Sequence, residues 1–173
     1  MKDFMELANR RYSVRKFSDR KVEIEKIKVL LEALRVSPTA CNYQPQKVWV
    51  LDTEEELETA RSVIQYHFHA PLILLLGYDE TKSWRNKYDG KDSGVLDASI
   101  SATHIMLEAI ELGLGSTFVG YFDEKLIKKT FHIPENIHVV CILPIGYPAE
   151  DTAANRLHFE KKSMSEFVVN REW

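Results

Sequence analysis

Cysteine is almost absent from this chain. Its two copies in 173 residues, Cys41 and Cys141, have no second cysteine at metal-binding or redox-motif spacing, which sets aside zinc-ribbon and Cys-x-x-Cys chemistry and fits a reducing compartment. Glycine is sparse too, at seven. No Gly-Lys-Ser/Thr occurs, so there is no P-loop. Gly113-Leu114-Gly115 closes an apolar helical run instead of opening one, and Phe118 stands where a dinucleotide loop needs its third small residue. No long apolar run is uninterrupted. Val95 to Leu114 carries Asp97, His104, Glu108 and Glu111, each costly at a bilayer centre, so it reads as a buried helix and no membrane partner is expected. Met1-Lys2-Asp3-Phe4-Met5-Glu6 lacks the apolar run and cleavage site of a signal peptide, and a soluble cytoplasmic protein is expected. Nor is charge of one sign in excess: Lys+Arg of 23 against Asp+Glu of 26 leaves net −3, which does not favour nucleic acid. No serine sits in a Gly-x-Ser-x-Gly elbow, and Cys41 has no evident histidine partner. His67 and His69 alternate along a possible strand, a spacing that surface histidines share with metal ligands, and no metal is expected.

What is present suits one domain. A chain of this length with 45% hydrophobic residues buries roughly 70% of its unfolded surface. Ile24, Ile27, Leu30, Leu31 and Leu34 recur at helical spacing, and Pro38 ends that helix near Val36. Val48 to Leu51 is a short strand. Thr53 and Glu56 have capping-box spacing before the apolar face Leu57, Ala60, Ile64. Pro71 to Tyr78 is a strand buried on both faces. Asp79 to Gly94 turns polar around Trp84 and reads as an excursion or lid. The helix from about Val95 to Leu112 is apolar on most sides and ends at Gly113, a left-handed cap. Ser116 to Val119 is expected as a strand, Asp123 as the cap of a helix through Phe131, and His138 to Ile145 as the last core strand. The tail, 150–173, is polar until Phe167, Val168, Val169 and Trp173; it forms no core alone and must dock on this subunit or a partner.

Two segments carry chemistry. Arg10, Arg11, Arg15, Lys16, Arg20 and Lys21 crowd the N-terminus, opposed there by Asp19. Within Arg11-Tyr12-Ser13-Val14-Arg15, alternate residues project to one side of an extended chain, so Arg11, Ser13 and Arg15 present two guanidinium groups and a hydroxyl together. That set suits a phosphate, although a solvated surface strip would look the same. Ser37-Pro38-Thr39-Ala40-Cys41-Asn42-Tyr43-Gln44-Pro45 is a loop of small and amide side chains. It can approach a flat ligand closely, or simply make a turn.

In order and spacing these pieces resemble the nitroreductase family of FMN enzymes over nearly the whole chain. Arg11 to Phe17 is similar to the family's Arg-x-Ser-x-Arg-x-Phe start, and Ser37 to Pro45 to its Pro-Ser-x-x-Asn-x-Gln-Pro loop. Asp97 with the helix to Gly115 resembles its central helix, and Leu143-Pro144-Ile145-Gly146-Tyr147-Pro148 its Pro-x-Gly-x-Pro strand end. The resemblance implies an α+β fold, a central mostly antiparallel sheet flanked by helices, and an intertwined homodimer with non-covalent FMN at the interface and the tail crossing to the partner. It implies that Arg11, Tyr12, Ser13 and Arg15 hold the flavin phosphate and pyrimidine end. Pro38, Thr39, Ala40, Asn42 and Gln44 would then arrive from the other chain, and Val119 and Gly120 would lie near the reactive nitrogen. A basic tail residue, Arg156, Lys161 or Lys162, would complete the phosphate site. The chain departs from longer relatives in being compact between Tyr66 and Leu72, where they insert flavin contacts; Lys82, Arg85 and Lys87 are candidates to compensate.

On this reading the cofactor carries the chemistry and no catalytic dyad is needed. Hydride from NADH or NADPH passes to a nitroaromatic, quinone or similar small acceptor, with ping-pong kinetics. Tyr43, Trp84 and Phe122 are the expected pocket aromatics. Arg15 is the cation expected to raise the flavin potential. A flavin carrier, or a specialised dehalogenase, desaturase or flavin-destroying member, is the alternative.

Overall fold

A computed structural model describes residues 3–171. Helix α1 (Phe4–Arg10) begins at Asp3, whose carboxyl accepts from Met5 N at 3.0 Å. The sequence reading did not anticipate it, because α1 buries no residue and so shows no apolar period. An extended segment follows, then α2 (Ile24–Arg35), a 3-10 turn (Ala40–Asn42), β1 (Gln46–Leu51) and α3 (Glu54–Val63). Next come β2 (Leu72–Asp79), α4 (Gly94–Glu111), β3 (Gly115–Ser116), α5 (Glu124–Thr130) and β4 (Ile137–Gly146). The tail holds two single 3-10 turns, at Arg156–His158 and Met164–Glu166. Local signals explain most boundaries. The Thr53–Glu56 capping box is formed in both directions, Asp123 accepts from Leu126 N, and Gly113 takes φ +73° just past α4.

The strands form one antiparallel sheet in the order β1-β2-β4-β3. Every residue of β2 is buried, as a central strand covered on both faces requires. Leu72, Leu74 and Leu76, with Cys141, Leu143 and Ile145, pack under Ile27 and Leu30 of α2 and Ala102, Ile105 and Ala109 of α4. Ile73 and Leu75, with Ile137, Val139 and Ile142, face Leu57 and Ala60 of α3 and Ile127 of α5. A register shift at Leu76/Gly77 lets Val139 and Ile142 share a face although their numbers differ in parity. Gly77 permits that shift, since a Cβ there would lie 2.1 Å from the His138 carbonyl oxygen.

Three expectations need correction. The strand foreseen over Ser116 to Val119 pairs regularly at Gly115–Ser116 alone, then makes one bridge from Val119 to Ile142. Pro144 lies between and accepts from Thr117 N, but has no N–H to return, so the ladder breaks. His67 and His69 lie on turns, Phe68 and His69 having positive φ, and not on a strand. No metal-binding group of three His, Cys, Asp or Glu occurs among the described residues. Finally, α4 is not apolar-buried all round: Ala98, Ala102, Ile105 and Ala109 face the core, while Val95, Leu96 and Ile100 are exposed. No helix among the described residues is long and apolar enough to cross a membrane. In the tail, Leu157, Phe159, Phe167 and Val169 are exposed; Trp173 lies outside the described residues.

Candidate functional site

The segment after α1 is positioned by one inward residue. Val14 is fully buried, its N–H donates to the Ser116 carbonyl at 3.0 Å, and its side chain occupies space that a Cβ on Gly115 would invade at 2.4 Å. Alternation then puts Arg11, Ser13 and Arg15 on the opposite side. Further along, Ser18 N donates to the Tyr147 carbonyl and Ala149 N to that of Lys16, fixing the segment along the end of β4.

Arg11, Tyr12, Ser13 and Arg15 line a cavity of about 400 Å³ whose other wall is Asn155, Leu157 and His158 from the tail. Arg15 Nη1 also donates to its neighbour's carbonyl, Ser13 O, at 3.3 Å. The tail turn is held by Asn155 Oδ1, which accepts from Leu157 N, and by His158 Nε2, 3.0 Å from the Asn9 carbonyl. Because a carbonyl only accepts, that contact assigns the Nε2 proton and fixes the tautomer. The result is a hollow with two guanidinium groups, the hydroxyls of Tyr12 and Ser13 and the Asn155 amide, a donor set that suits an anion, while His158, its N–H given to Asn9, forms part of the wall.

Arg15 also lines a second cavity, of about 300 Å³, with Tyr66, Phe68, Thr117, Phe118, Val119, Gly120 and Tyr121. This one is aromatic. Tyr66 stacks on Phe68 at 6.0 Å and meets Tyr121 edge-on at 5.8 Å, geometries that make a firm wall for a planar guest. Thr117, almost fully buried, forms part of the cavity floor, and its Oγ1 has no hydrogen-bond partner in the protein. The two cavities thus join a cationic end to a flat apolar end through a shared arginine.

The loop following α2 is built differently. Cys41, Asn42 and Gln44 all have positive φ, at 49°, 57° and 51°, conformations that cost energy for residues with a Cβ. Hydrogen bonds hold them. Gln44 N donates to Thr39 Oγ1 at 3.1 Å, Gln44 Nε2 to Asn42 Oδ1 at 2.7 Å, and Ala40 N to Asp97 Oδ1 at 2.9 Å. Within one chain, Pro38, Thr39, Ala40, Asn42 and Gln44 line neither cavity.

Of the residues singled out from sequence, the structure gathers Arg11, Tyr12, Ser13, Arg15, Val119 and Gly120 around these two cavities. It does not gather the tail cations there. Arg156 pairs with Glu160, Lys161 donates to the His158 carbonyl, and Lys162 pairs with Glu166 at 3.3 Å. The tail's contribution is His158 with Asn155 and Leu157, which the search for Lys and Arg passed over. The pocket aromatics also differ. Tyr43 is exposed on its loop, Trp84 is half-buried in the 79–94 excursion, and Phe122 packs against the core under α3 and α5. Lys82, Arg85 and Lys87 stay in that excursion, near Asp79, the Gly90 carbonyl and the Tyr88 ring respectively. Tyr66 and Phe68, from the compact stretch thought to lack contacts, stand in the second cavity. Their signal was present: four consecutive ring-bearing residues, Tyr66 to His69, in a short turn between α3 and β2.

Comparison with known proteins adds a family pattern. The model of the Nitroreductase family matches residues 8–67 and 65–147. A nitroreductase family protein from Clostridium difficile 630 is 36% identical, with TM-score 0.91 over 99% of this chain and 100% of that one. An FMN-dependent nitroreductase from Clostridium difficile R20291 is 27% identical, with TM-score 0.77 over 98% and 100%. An NADPH-dependent oxidoreductase of Staphylococcus aureus is 25% identical over 92% of this chain and 72% of its own length.

Proposed function

The chain belongs to the nitroreductase family, and from that premise we propose that it is an FMN-dependent oxidoreductase using NADH or NADPH to reduce a small oxidised organic acceptor, such as a nitroaromatic or quinone. The observation that carries this reading is the shared arginine. Arg15 joins a cationic hollow to an aromatic one, the shape demanded by a ligand with an anionic tail and a planar head. The relatives described as FMN-dependent and NADPH-dependent support the choice of partners.

FMN, when bound, supplies the hydride chemistry. The chain's own residues have three tasks. Arg11, Ser13 and the Asn155 amide would bind the phosphate; Thr117, Val119 and Gly120 would orient the ring; Tyr66, Phe68 and Tyr121 would exclude water from it. Donor and acceptor would stack in turn on the exposed face of the bound ring, giving ping-pong kinetics.

A homodimer is part of the proposal. Val95, Leu96 and Ile100 on α4, Val29 and Val36 by α2, and Leu157, Phe159, Phe167 and Val169 on the tail are apolar and exposed on the single chain, side chains that a second copy would cover. The 38–44 loop would then complete the partner's site, and the tail would cross to it. The free Cys41 and buried Cys141 fit work in the reducing cytoplasm.

The test is spectroscopic. Purified protein mixed with FMN should retain a bound yellow chromophore, bleach when NADH or NADPH is added without oxygen, and recolour with a quinone. Initial-rate lines for the two substrates should be parallel. Colourless protein that takes up no FMN refutes the assignment, and bound flavin that neither nicotinamide bleaches refutes the enzymatic part.

A further inference from the structure

Between buried Ser37 and buried Pro45, the loop with its three left-handed residues is tied to the interior by a carboxyl group. Asp97 sits in the first turn of α4 and is 2% exposed. Burying such a group is unfavourable unless each oxygen finds a donor. Here Oδ1 accepts from Ala40 N at 2.9 Å and Oδ2 from Ser93 Oγ at 2.7 Å. Ser93 stands at the N-cap position of α4 yet makes no capping bond with its side chain; its hydroxyl is given to Asp97. Ser101, one turn on, lies 3.0 Å from the Asp97 carbonyl and 2.6 Å from Ser37 Oγ, and Ser37 Oγ lies 2.7 Å from Leu34 O; one of the two hydroxyls donates to the other, which donates to its own helix carbonyl. A buried polar chain therefore runs from the end of the 79–93 excursion, through Asp97, to both ends of α2's exit.

We propose that Asp97 is a positioning residue for the cofactor: by gripping Ala40 N–H it holds the 38–44 loop in the strained shape that meets the flavin. This rests on the FMN reading above and on its homodimer, in which the loop reaches the partner's flavin. At its far end the loop is fixed by Pro45, which is buried and whose carbonyl accepts from Asp79 N at 2.9 Å, but Thr39, Ala40, Cys41, Asn42, Tyr43 and Gln44 are all partly or fully exposed and give the strained residues no apolar anchor of their own. Its own hydrogen bonds, Gln44 to Thr39 and Gln44 to Asn42, shape it internally without attaching it to the core. The Asp97 contact makes that attachment, and it is made to the backbone, so the loop's side chains remain available to the ligand.

Three variants test this. In Asp97→Asn the amide oxygen still accepts from Ala40 N while the amide nitrogen donates to Ser93 Oγ; FMN affinity should stay within about threefold of the parent. Asp97→Ala strands the Ala40 N–H and should raise the FMN dissociation constant by about tenfold or more. Ala40→Pro removes the same N–H from the loop side and leaves the core carboxyl in place. Thr39 at φ −133°, ψ 158° has the extended backbone that a following proline requires, and proline's Cδ takes the place of the hydrogen that points at Asp97 Oδ1. This variant keeps the test decisive if Asp97→Ala does not fold. The two lesions should not add in the double variant, because they break one contact. A role confined to stability would lower the melting temperature of the apoprotein in Asp97→Ala but leave FMN affinity unchanged in the folded fraction; that result, or additive losses of affinity in the double variant, overturns the proposal. A parent protein that fails to bind FMN overturns the cofactor reading itself, whereas a parent that binds it beside folded variants of unchanged affinity overturns only the role of Asp97.

Discussion

Replacing Arg11 by alanine separates the two halves of the proposed ligand. Arg11 lines the cationic cavity and not the aromatic one, whereas Arg15 lines both. FMN and riboflavin differ by the phosphate, so the ratio of their affinities isolates what the first cavity contributes. A charge-assisted hydrogen bond is worth about 1.5–3 kcal/mol. Arg11 is only half-buried, so solvent screening puts the effect at the lower end, about 1.4 kcal/mol, which is about tenfold in Kd. Arg11→Ala should therefore weaken FMN about tenfold and riboflavin by less than about twofold, measured by flavin fluorescence titration at low salt. Arg11→Lys should fall between, since it keeps the charge and loses the fork. Raising the ionic strength from about 0.05 M to about 1 M should shrink the parent's preference for FMN, because the screening length drops to about 3 Å. Arg15→Ala should weaken both ligands and lower the potential of bound FMN. Equal losses for FMN and riboflavin in Arg11→Ala would show that no phosphate sits beside Arg11, and the division of the site into two functional halves would fail.

Two further outcomes follow from groups outside that pair of cavities. The Glu23 carboxyl is held down to about 2, first by the Tyr147 hydroxyl that donates to it at 2.7 Å, then by its own backbone and by Arg20. Its folded value lies below the usual 4.5, so its stabilising effect is full above that pH and is lost as pH falls toward 2. Glu23→Gln should lower the denaturant midpoint at neutral pH and flatten its decline through this acid window; parallel profiles for parent and variant would contradict the assignment. Burial pushes the Cys141 thiol up to about 12, while Cys41 is exposed on the anchored loop. A thiol reagent at mild alkaline pH should modify one cysteine in the native chain and the second on unfolding, with FMN slowing the first. Modification of Cys141 at a comparable rate in the folded protein, or a Cys41 rate indifferent to FMN, would count against the loop's place in the site.

Secondary structure was legible wherever burial is periodic or a cap is chemical. The all-apolar run of β2, the Thr53–Glu56 box and the Gly113 stop each act through neighbours within four residues, so their order in the chain contains the information. α1 was not legible because it packs too little to leave a pattern. β3 was over-read because the broken ladder depends on Pro144 of another strand, some 28 positions later in the sequence.

The cationic row at Arg11, Ser13 and Arg15 follows from the sequence alone, since alternation in an extended segment is a local property of the backbone. Its surroundings do not. His158 reaches it only because the tail turns back to meet Asn9, and Tyr66, Phe68 and Tyr121 converge only because the α3–β2 turn and the stretch after β3 end on the same side of the sheet. Such meetings are set by packing across the two apolar faces of β2 and β4, not by residue spacing, which is why the sequence supplied the donors and the tertiary structure alone decided which aromatic rings and which imidazole stand beside them.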